Sequence, residues 1–278
     1  MAYKDIVVQL GADASTPRYQ IAAQLAARAG GYLAGVYLKT TLINQYNNIG
    51  SIGYLPPVDL DRLIRDHNQA QDDNATKAAA ALAKVASALG VASDWRVIGG
   101  DAPDGLIGEA RCADLVVLPP PSAAPAFSVD ASAVDIALGG GGPVLVVPEA
   151  VARLQIGQRV LVAWNGSREA ARALRDALPL MAAGATVEVR MARPKDAAEH
   201  EPEALRRHLE RQGLTVNMVT VVDEGQPIAA WLQAEAAAAG CDLMVMGLYG
   251  HARLQEFVLG GVSRDMIHAP TLPLLLSH

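Results

Sequence analysis

Ala113-Asp114-Leu115-Val116-Val117-Leu118, an acidic residue opening a short aliphatic run, returns in the second half of the chain as Cys241-Asp242-Leu243-Met244-Val245-Met246. The lead-ins agree as well. Gly100-Asp101-Ala102-Pro103 with Ile107 and Ala110 precedes the first copy, and Gly225-Gln226-Pro227 with Ile228 and Ala236 precedes the second. Each copy is followed by a proline and a last aliphatic run, Pro143–Val147 and Pro273–Leu276. A chain that repeats itself at this scale is built twice on one plan.

The plan is an alternation of strands and helices. Short apolar runs read as strands buried on both faces of a parallel sheet. In the first half they are Ile6–Leu10, Leu33–Leu38, Ser93–Ile98, Asp114–Leu118 and Val144–Val147; in the second, Arg159–Trp164, Thr186–Ala192, Leu214–Val222, Leu243–Met246 and Leu272–Leu276. Between them lie helical segments: Tyr19–Ala29, Asp59–Leu89, Pro103–Cys112 and Ala131–Leu138, then Arg168–Met181, Pro202–Gln212, Pro227–Ala239 and Val262–His268. The expected fold is α/β: two tandem, doubly wound, five-stranded parallel sheets of Rossmann-like type, joined by a linker at Pro148–Gln158. The boundaries expected are 1–149 and 150–278, since 278 residues suit two units of about 100–150.

The second half holds a motif that the first lacks. The strand Leu243–Met246 runs into Gly247; Gly250 follows after two residues, and Gly260 with Gly261 after nine more. A helix opening just past Gly260 would aim unpaired N–H groups at an anion, a phosphate cradle. At the matching place the first half has Pro119-Pro120-Pro121-Ser122, and three prolines offer no amide donors. Gly139–Gly142 follows a helix and precedes a strand, the wrong polarity for such a cradle, and reads as a connector. In doubly wound sheets ligands sit beyond the carboxyl ends of the strands, where Gly11–Asp13, Asn165–Ser167 and Gly247–Gly250 fall.

These residues resemble the universal stress protein family in its tandem two-domain form. The family's signature is Gly, two residues, Gly, nine residues, Gly, then Ser or Thr. Gly247, Gly250 and Gly260 match it, Gly261 stands where the hydroxyl is expected, and Ser263 matches a second hydroxyl position. Val160–Ser167 resembles the family's first strand and Asp-Gly-Ser turn, with Asn165 for Asp. The resemblance is strong over 158–278 and weaker over 1–149. It implies an ATP-binding regulatory protein of the stress response, with Mg²⁺ as an optional companion of the nucleotide. Ala163, Trp164 and Asn165 would line base and ribose, and Ala192 would meet adenine through its backbone. Met246, Gly247, Gly250, Gly260, Gly261, Val262 and Ser263 would hold ribose and phosphates. The first half would serve assembly or docking of unknown protein partners. The tandem form further implies an intrachain pseudo-dimer through Val144–Val147 and Leu272–Leu276, with a homodimer as an added option.

Two other classes compete with that reading. A dedicated ATPase or phosphotransferase needs a metal site and a residue that places the nucleophile. The chain has no Gly-x-x-x-x-Gly-Lys-Ser/Thr and no serine elbow, and Glu256 is the one carboxylate of the glycine stretch, so weak hydrolysis at most is expected. A module that binds no nucleotide is the other class, with Gly261 as its support. His251 faces either a phosphate or the loop surface, and Arg264 either a phosphate or solvent. The segment Lys39–Pro57 is a partner surface or a loop. Arg206, Arg207 and Arg211 read as a solvated helix face. Net charge −6 speaks against nucleic acid or membrane as partner. No apolar run nears ~18 residues, the length a membrane span needs. Met1–Asp5 leaves no room for a signal peptide, so a cytoplasmic protein is expected. The two cysteines, Cys112 and Cys241, read as small core residues.

Overall fold

A computed structural model describes residues 2–11, 16–39, 57–99, 102–121, 132–194, 202–225, 227–248 and 261–278. The first half runs β1 (Asp5–Leu10), α1 (Pro17–Ala29), β2 (Tyr32–Leu38), α2 (Pro57–Ala88), β3 (Ala92–Ile98), α3 (Ala102–Ala110), β4 (Leu115–Leu118), α4 (Ala133–Gly140) and β5 (Val144–Val146). The second repeats it as β6 (Arg159–Ala163), α5 (Arg168–Ala177), β7 (Thr186–Pro194), α6 (Glu203–Arg211), β8 (Thr215–Asp223), α7 (Ile228–Ala239), β9 (Leu243–Gly247), α8 (Gly261–His268) and β10 (Leu274–Ser277). The strands expected from the sequence all form. The largest difference among the helices is at α5, which stops at Ala177 and tightens into a 3₁₀ turn at Leu178–Leu180. Pro179 lacks the N–H that would continue the α-ladder to Met181.

All ten strands join one sheet in the order β3-β2-β1-β4-β5-β10-β9-β6-β7-β8. The order is palindromic, as a pseudo-twofold between the halves requires. Every pairing is parallel except the central one, where β5 and β10 run antiparallel in the register Val144↔Leu276, Leu145↔Leu275 and Val146↔Leu274. The two last strands thus form the seam expected of the pseudo-dimer. All six of these side chains are fully buried, each adding about 1.5–3 kcal/mol of burial.

Alternation along the strands divides the core into two layers. Ile6, Val8, Leu115, Val117, Val160, Val162, Val245 and Leu275 face α1, α2, α5 and α6. Val7, Val116, Leu161, Met244 and Leu276 face α3, α4, α7 and α8. Both layers cross the seam, so the halves share their core.

The repeated aspartates explain themselves here. Asp114 sits at the start of β4 and accepts from the amides of Lys4 and Asp5 at 2.7 and 3.0 Å. Asp242 at the start of β9 accepts from Gly157, Gln158 and Arg159, at 2.6, 3.0 and 3.1 Å. Each carboxylate ties the opening of the fourth strand of its half to the opening of the first. The bond to a charged acceptor satisfies amides that lie outside the ladder.

The cysteines correct the sequence reading. Cys112 is exposed, because it lies in the turn between α3 and β4 and not on a strand. Cys241, in the equivalent turn, is partly buried; burial and then Glu188 push its thiol up to about 12, which keeps it protonated.

Candidate functional site

The strand order switches between β1 and β4, and again between β6 and β9. At such a switch the connections leave in opposite directions and a crevice opens beyond the strand ends. In the second half Ala163 pairs with Met246 across this point. The Trp164 amide then donates to the Arg190 carbonyl at 2.9 Å, which keeps the chain alongside β7 for one more residue. Asn165 is exposed, and its Oδ1 accepts from the Ser167 amide at 3.1 Å. Gly166 turns the chain at φ +75°. Ser167 caps α5, its Oγ accepting from the Ala170 amide at 3.1 Å. The Asn-Gly-Ser turn is therefore a helix start placed at the mouth of the crevice, and among the described residues the Asn165 Nδ2 has no hydrogen-bond partner.

Gly247 closes β9 for a reason of packing. A Cβ there would lie 2.5 Å from the Ala170 nitrogen and 2.5 Å from the Glu169 carbonyl carbon. Only glycine lets the first turn of α5 approach β9 this closely. Glu169 was not singled out in the sequence, yet it is buried at this contact and pairs with Arg168. Burial opposes its charge, but hydrogen bonds from Arg168, from its own amide and from Ser167 prevail and hold its carboxyl below the ordinary range. A carboxylate at the second position of a helix that follows a serine cap is the signal that could have found it.

α8 opens at Gly261, which is exposed, and among the described residues no heavy atom lies within 4 Å of where a Cβ would stand. Ser263 is 9% exposed, on the helix face it shares with the buried Met266 and Ile267. Of the two hydroxyl positions in the motif, the outward one is thus the one occupied by glycine. Val262 is partly buried, and Arg264 is exposed, which agrees with a solvated arginine. Ala192 lies beyond the level of Trp164, paired with Val221 and partly exposed. Gly250, Gly260, His251 and Glu256 lie outside the described residues, as do 40–56, Asp13 and Ser122. Among the described residues, no group of three or more His, Cys, Asp or Glu side chains is arranged to hold a metal ion.

The first half differs at the same place. Arg18 is 5% exposed and its Nε donates to the Gln9 carbonyl at 2.9 Å, so its side chain lies over the end of β1. The Tyr19 hydroxyl accepts from the Gly11 amide at 3.0 Å. Pro119 occupies the position of Gly247, as the pairings Ile6↔Leu115 and Val160↔Leu243 establish. The crevice end of this half is lined by its own arginine and tyrosine and by a residue without an N–H.

Residues 157–278 match the model of the universal stress protein family. Among solved structures, a universal stress protein from Archaeoglobus fulgidus DSM 4304 is similar over 98% of this chain and 96% of its own, at 13% identity and a TM-score of 0.70. A functionally unknown protein from Pseudomonas aeruginosa PAO1 is similar over 99% of this chain and 92% of its own, at 15% identity and a TM-score of 0.57. At such identities the likeness is one of fold. A universal stress protein solved in complex with cAMP matches 54% of this chain and 100% of its own, at 22% identity and a TM-score of 0.30. Comparison with curated proteins gave no match.

Proposed function

We propose, from the premise that through residues 157–278 this chain belongs to the universal stress protein family, that its second half binds an adenine nucleotide at the β6–β9 switch. ATP is the nucleotide that the resemblance to the family implies, and the role is regulatory. The observation that carries the reading is the placement of α8: its exposed first residue, Gly261, follows the strand that borders the switch. A helix start there offers amide donors and a favourable dipole to phosphates. The residues present fit such a guest. Asn165 offers its Nδ2 to a ribose hydroxyl, Ala163 and Trp164 lie at the end of β6, and Ala192 is partly exposed beside them. Met246, Gly247, Gly250 and Gly260–Ser263 would surround ribose and phosphates, with the Gly261–Ser263 amides as donors more than the inward Ser263 hydroxyl. Phosphate charge, and Mg²⁺ where it accompanies the nucleotide, is what the guest would bring to the site. Residues 150–278 form the nucleotide-binding unit in this proposal, and residues 1–149 a unit for assembly or partner docking.

A second reading, a module that binds no nucleotide, is favoured by the glycine at position 261. Mass spectrometry and ³¹P NMR of material released from the purified protein, followed by titration with ATP and Mg²⁺, decide between them. Co-purified or titrated ATP without turnover, lost in Gly250→Val, is the expected result. Rapid phosphate release would point to an enzyme. No binding at millimolar ATP, in wild type and variant alike, would leave the second reading.

A further inference from the structure

β3 ends the sheet on the side of the first half, and among the described residues no strand pairs with its outer edge. The Lys39 amide donates to the Ile98 carbonyl at 2.7 Å, so the peptide groups of Ile98 face β2. By alternation those of Ala92, Asp94 and Arg96 face the same way, which turns the N–H and C=O groups of Ser93, Trp95 and Val97 outward. The side chains alternate as well. Trp95 and Val97 stand beside Gly35 and Tyr37 on the α2 face, and Asp94 and Arg96 beside Ala34 and Val36 on the α3 face. All four are exposed.

The charges on this edge exclude most strands, but Ser93-Asp94-Trp95-Arg96-Val97 complements itself. When two copies meet antiparallel about a twofold axis, outward peptide groups must face each other, so the axis passes by one residue of the strand. With the axis at Asp94 or at Arg96, like charges stand opposed. With it at Ser93 or Val97, neither charge meets its opposite. With it at Trp95, Asp94 of each copy stands opposite Arg96 of the other, at both ends of the contact. Trp95 then faces Trp95 and Ser93 faces Val97 as hydrogen-bonded pairs, each exchanging both N–H···O bonds. The Asp94–Arg96 pairs fall in the other sites of the ladder, where Cα atoms are about 4.5 Å apart and side chains lie closest. Arg96 already meets Glu109 at 3.0 Å, and a guanidinium has donors left for a second carboxylate. The other open edge, β8, carries Asp223 and no basic residue, so it has no such self-complement.

We propose that the partner of this edge is a second copy of the chain, and that β3 pairs with β3 antiparallel in the register centred on Trp95. The contact is isologous, so it closes at two copies and leaves β8 as the open edge of each. Strands of seven residues make a small interface, so the dimer is weak, with a dissociation constant on the order of micromolar. The pairing is independent of the nucleotide reading and stands or falls without it.

Sedimentation equilibrium of the full chain, carried well above micromolar concentration, should give a reversible monomer–dimer equilibrium with no larger species. Asp94→Lys sets a cation against Arg96, and Arg96→Glu sets an anion against Asp94, each at both ends of the contact. Either variant alone should self-associate about tenfold more weakly or worse. Mixed in equal amounts, the two variants again oppose unlike charges at both ends and should restore the dimer as a heterodimer, which a folding defect could not do. Val97→Pro removes an outward N–H without touching the β2 ladder and should weaken the dimer as well, whereas Val219→Lys on β8 should leave it unchanged. Circular dichroism and thermal melting establish that each variant is folded, and Asp94→Lys with Val97→Pro carries the test if Arg96→Glu is not. A monomer at every concentration, a dimer indifferent to the reversals, a mixture that associates no better than its components, or growth beyond two copies would overturn the proposal.

Discussion

Restoring a hydroxyl at position 261 tests the nucleotide reading at its weakest residue. Gly261 is exposed at the start of α8, and a Cβ there meets nothing within 4 Å among the described residues, so serine clashes with none of them. If phosphates lie at this helix start, the added hydroxyl donates one hydrogen bond, worth about 0.5–1.5 kcal/mol net, or about 2- to 12-fold in affinity. Serine also restricts the unfolded chain more than glycine does, which on its own stabilises the protein by about 0.4–1 kcal/mol. Gly261→Ala separates the two effects, because it brings the restriction without the hydroxyl. Calorimetric titration of wild type, Gly261→Ser and Gly261→Ala with ATP, with and without Mg²⁺, should therefore give tighter binding for serine alone. The melting temperatures of the two variants should rise together. Equal affinities for all three proteins would refute the placement of phosphate at α8, and a serine variant that binds more weakly would mean that the glycine is needed for access.

Gly247→Ala should destabilise the protein by about 1–3 kcal/mol, since its Cβ would press on the backbone of Glu169 and Ala170 rather than on a flexible side chain; a melting temperature unchanged in the absence of nucleotide would contradict this. Asp242→Ala leaves three amides without their acceptor at a buried site and should cost about 2–3 kcal/mol by urea unfolding, whereas Asp114→Ala, at an exposed site, should cost about 1 kcal/mol. Because the folded-state pKa of Glu169 lies below its ordinary 4.5, its ionised form adds stability that is present above that value and is lost as pH falls through the folded pKa. Glu169→Gln should flatten the acid limb of the stability curve while leaving its slope near pH 7 unchanged. Replacing Glu188 alone by Ala should destabilise by about 1–3 kcal/mol, since Arg190 keeps Glu235 but Arg159 and Asn217 lose their acceptor; replacing Glu188 and Arg190 together by Ala and Val should recover part of that loss, measurable in the same denaturant series.

That last pair shows where the sequence stops being informative. The strands themselves were legible, because a doubly covered parallel sheet needs continuous aliphatic runs, and Ile6–Leu10 or Leu243–Met246 have no other explanation. The pairing of β5 with β10 was expected from the resemblance to the tandem form, and nothing local in the two strands specifies it. Glu188 and Arg190 read as ordinary alternation within a strand. In the structure they lie beneath α7, Arg190 pairing with Glu188 at 3.2 Å and with Glu235 at 2.6 Å, while Arg159 and Asn217 each reach Glu188 at 3.1 Å. The equivalent positions of the first half, set by the registers Asp5↔Tyr32 and Arg159↔Thr186, are Ala34 and Val36. A network that spans three strands and a helix has no local spacing to betray it. Arg18 escaped notice for a related reason, since its return onto Gln9 depends on the turn between β1 and α1. Gly247 was expected at the nucleotide through the resemblance; that it also lies against the backbone of α5 has no signal in the sequence.

In the first half Arg18 lies over the end of β1, and the seam supplies a physical reason for that half that does not depend on a ligand. Without β5, the strand β10 would expose Leu274, Leu275 and Leu276 along an open ladder, and the shared layers of the core would lose one side. An exposed, flat, aliphatic edge is an aggregation hazard. The first half therefore completes the second whether or not it binds anything, and Arg18 and Pro119 at its strand ends leave that role intact. Closing the seam within one chain also moves the open edges of the sheet outward, to β3 and β8. Those strands carry polar and charged residues, Asp94 and Arg96 on one and Asn217 and Asp223 on the other, with Arg96 held by Glu109 at 3.0 Å. Such residues oppose strand addition. Trp95 and Val97 on β3 and Val219 on β8 are nevertheless 43%, 42% and 40% exposed, so the charges blunt these edges without closing them to a partner strand.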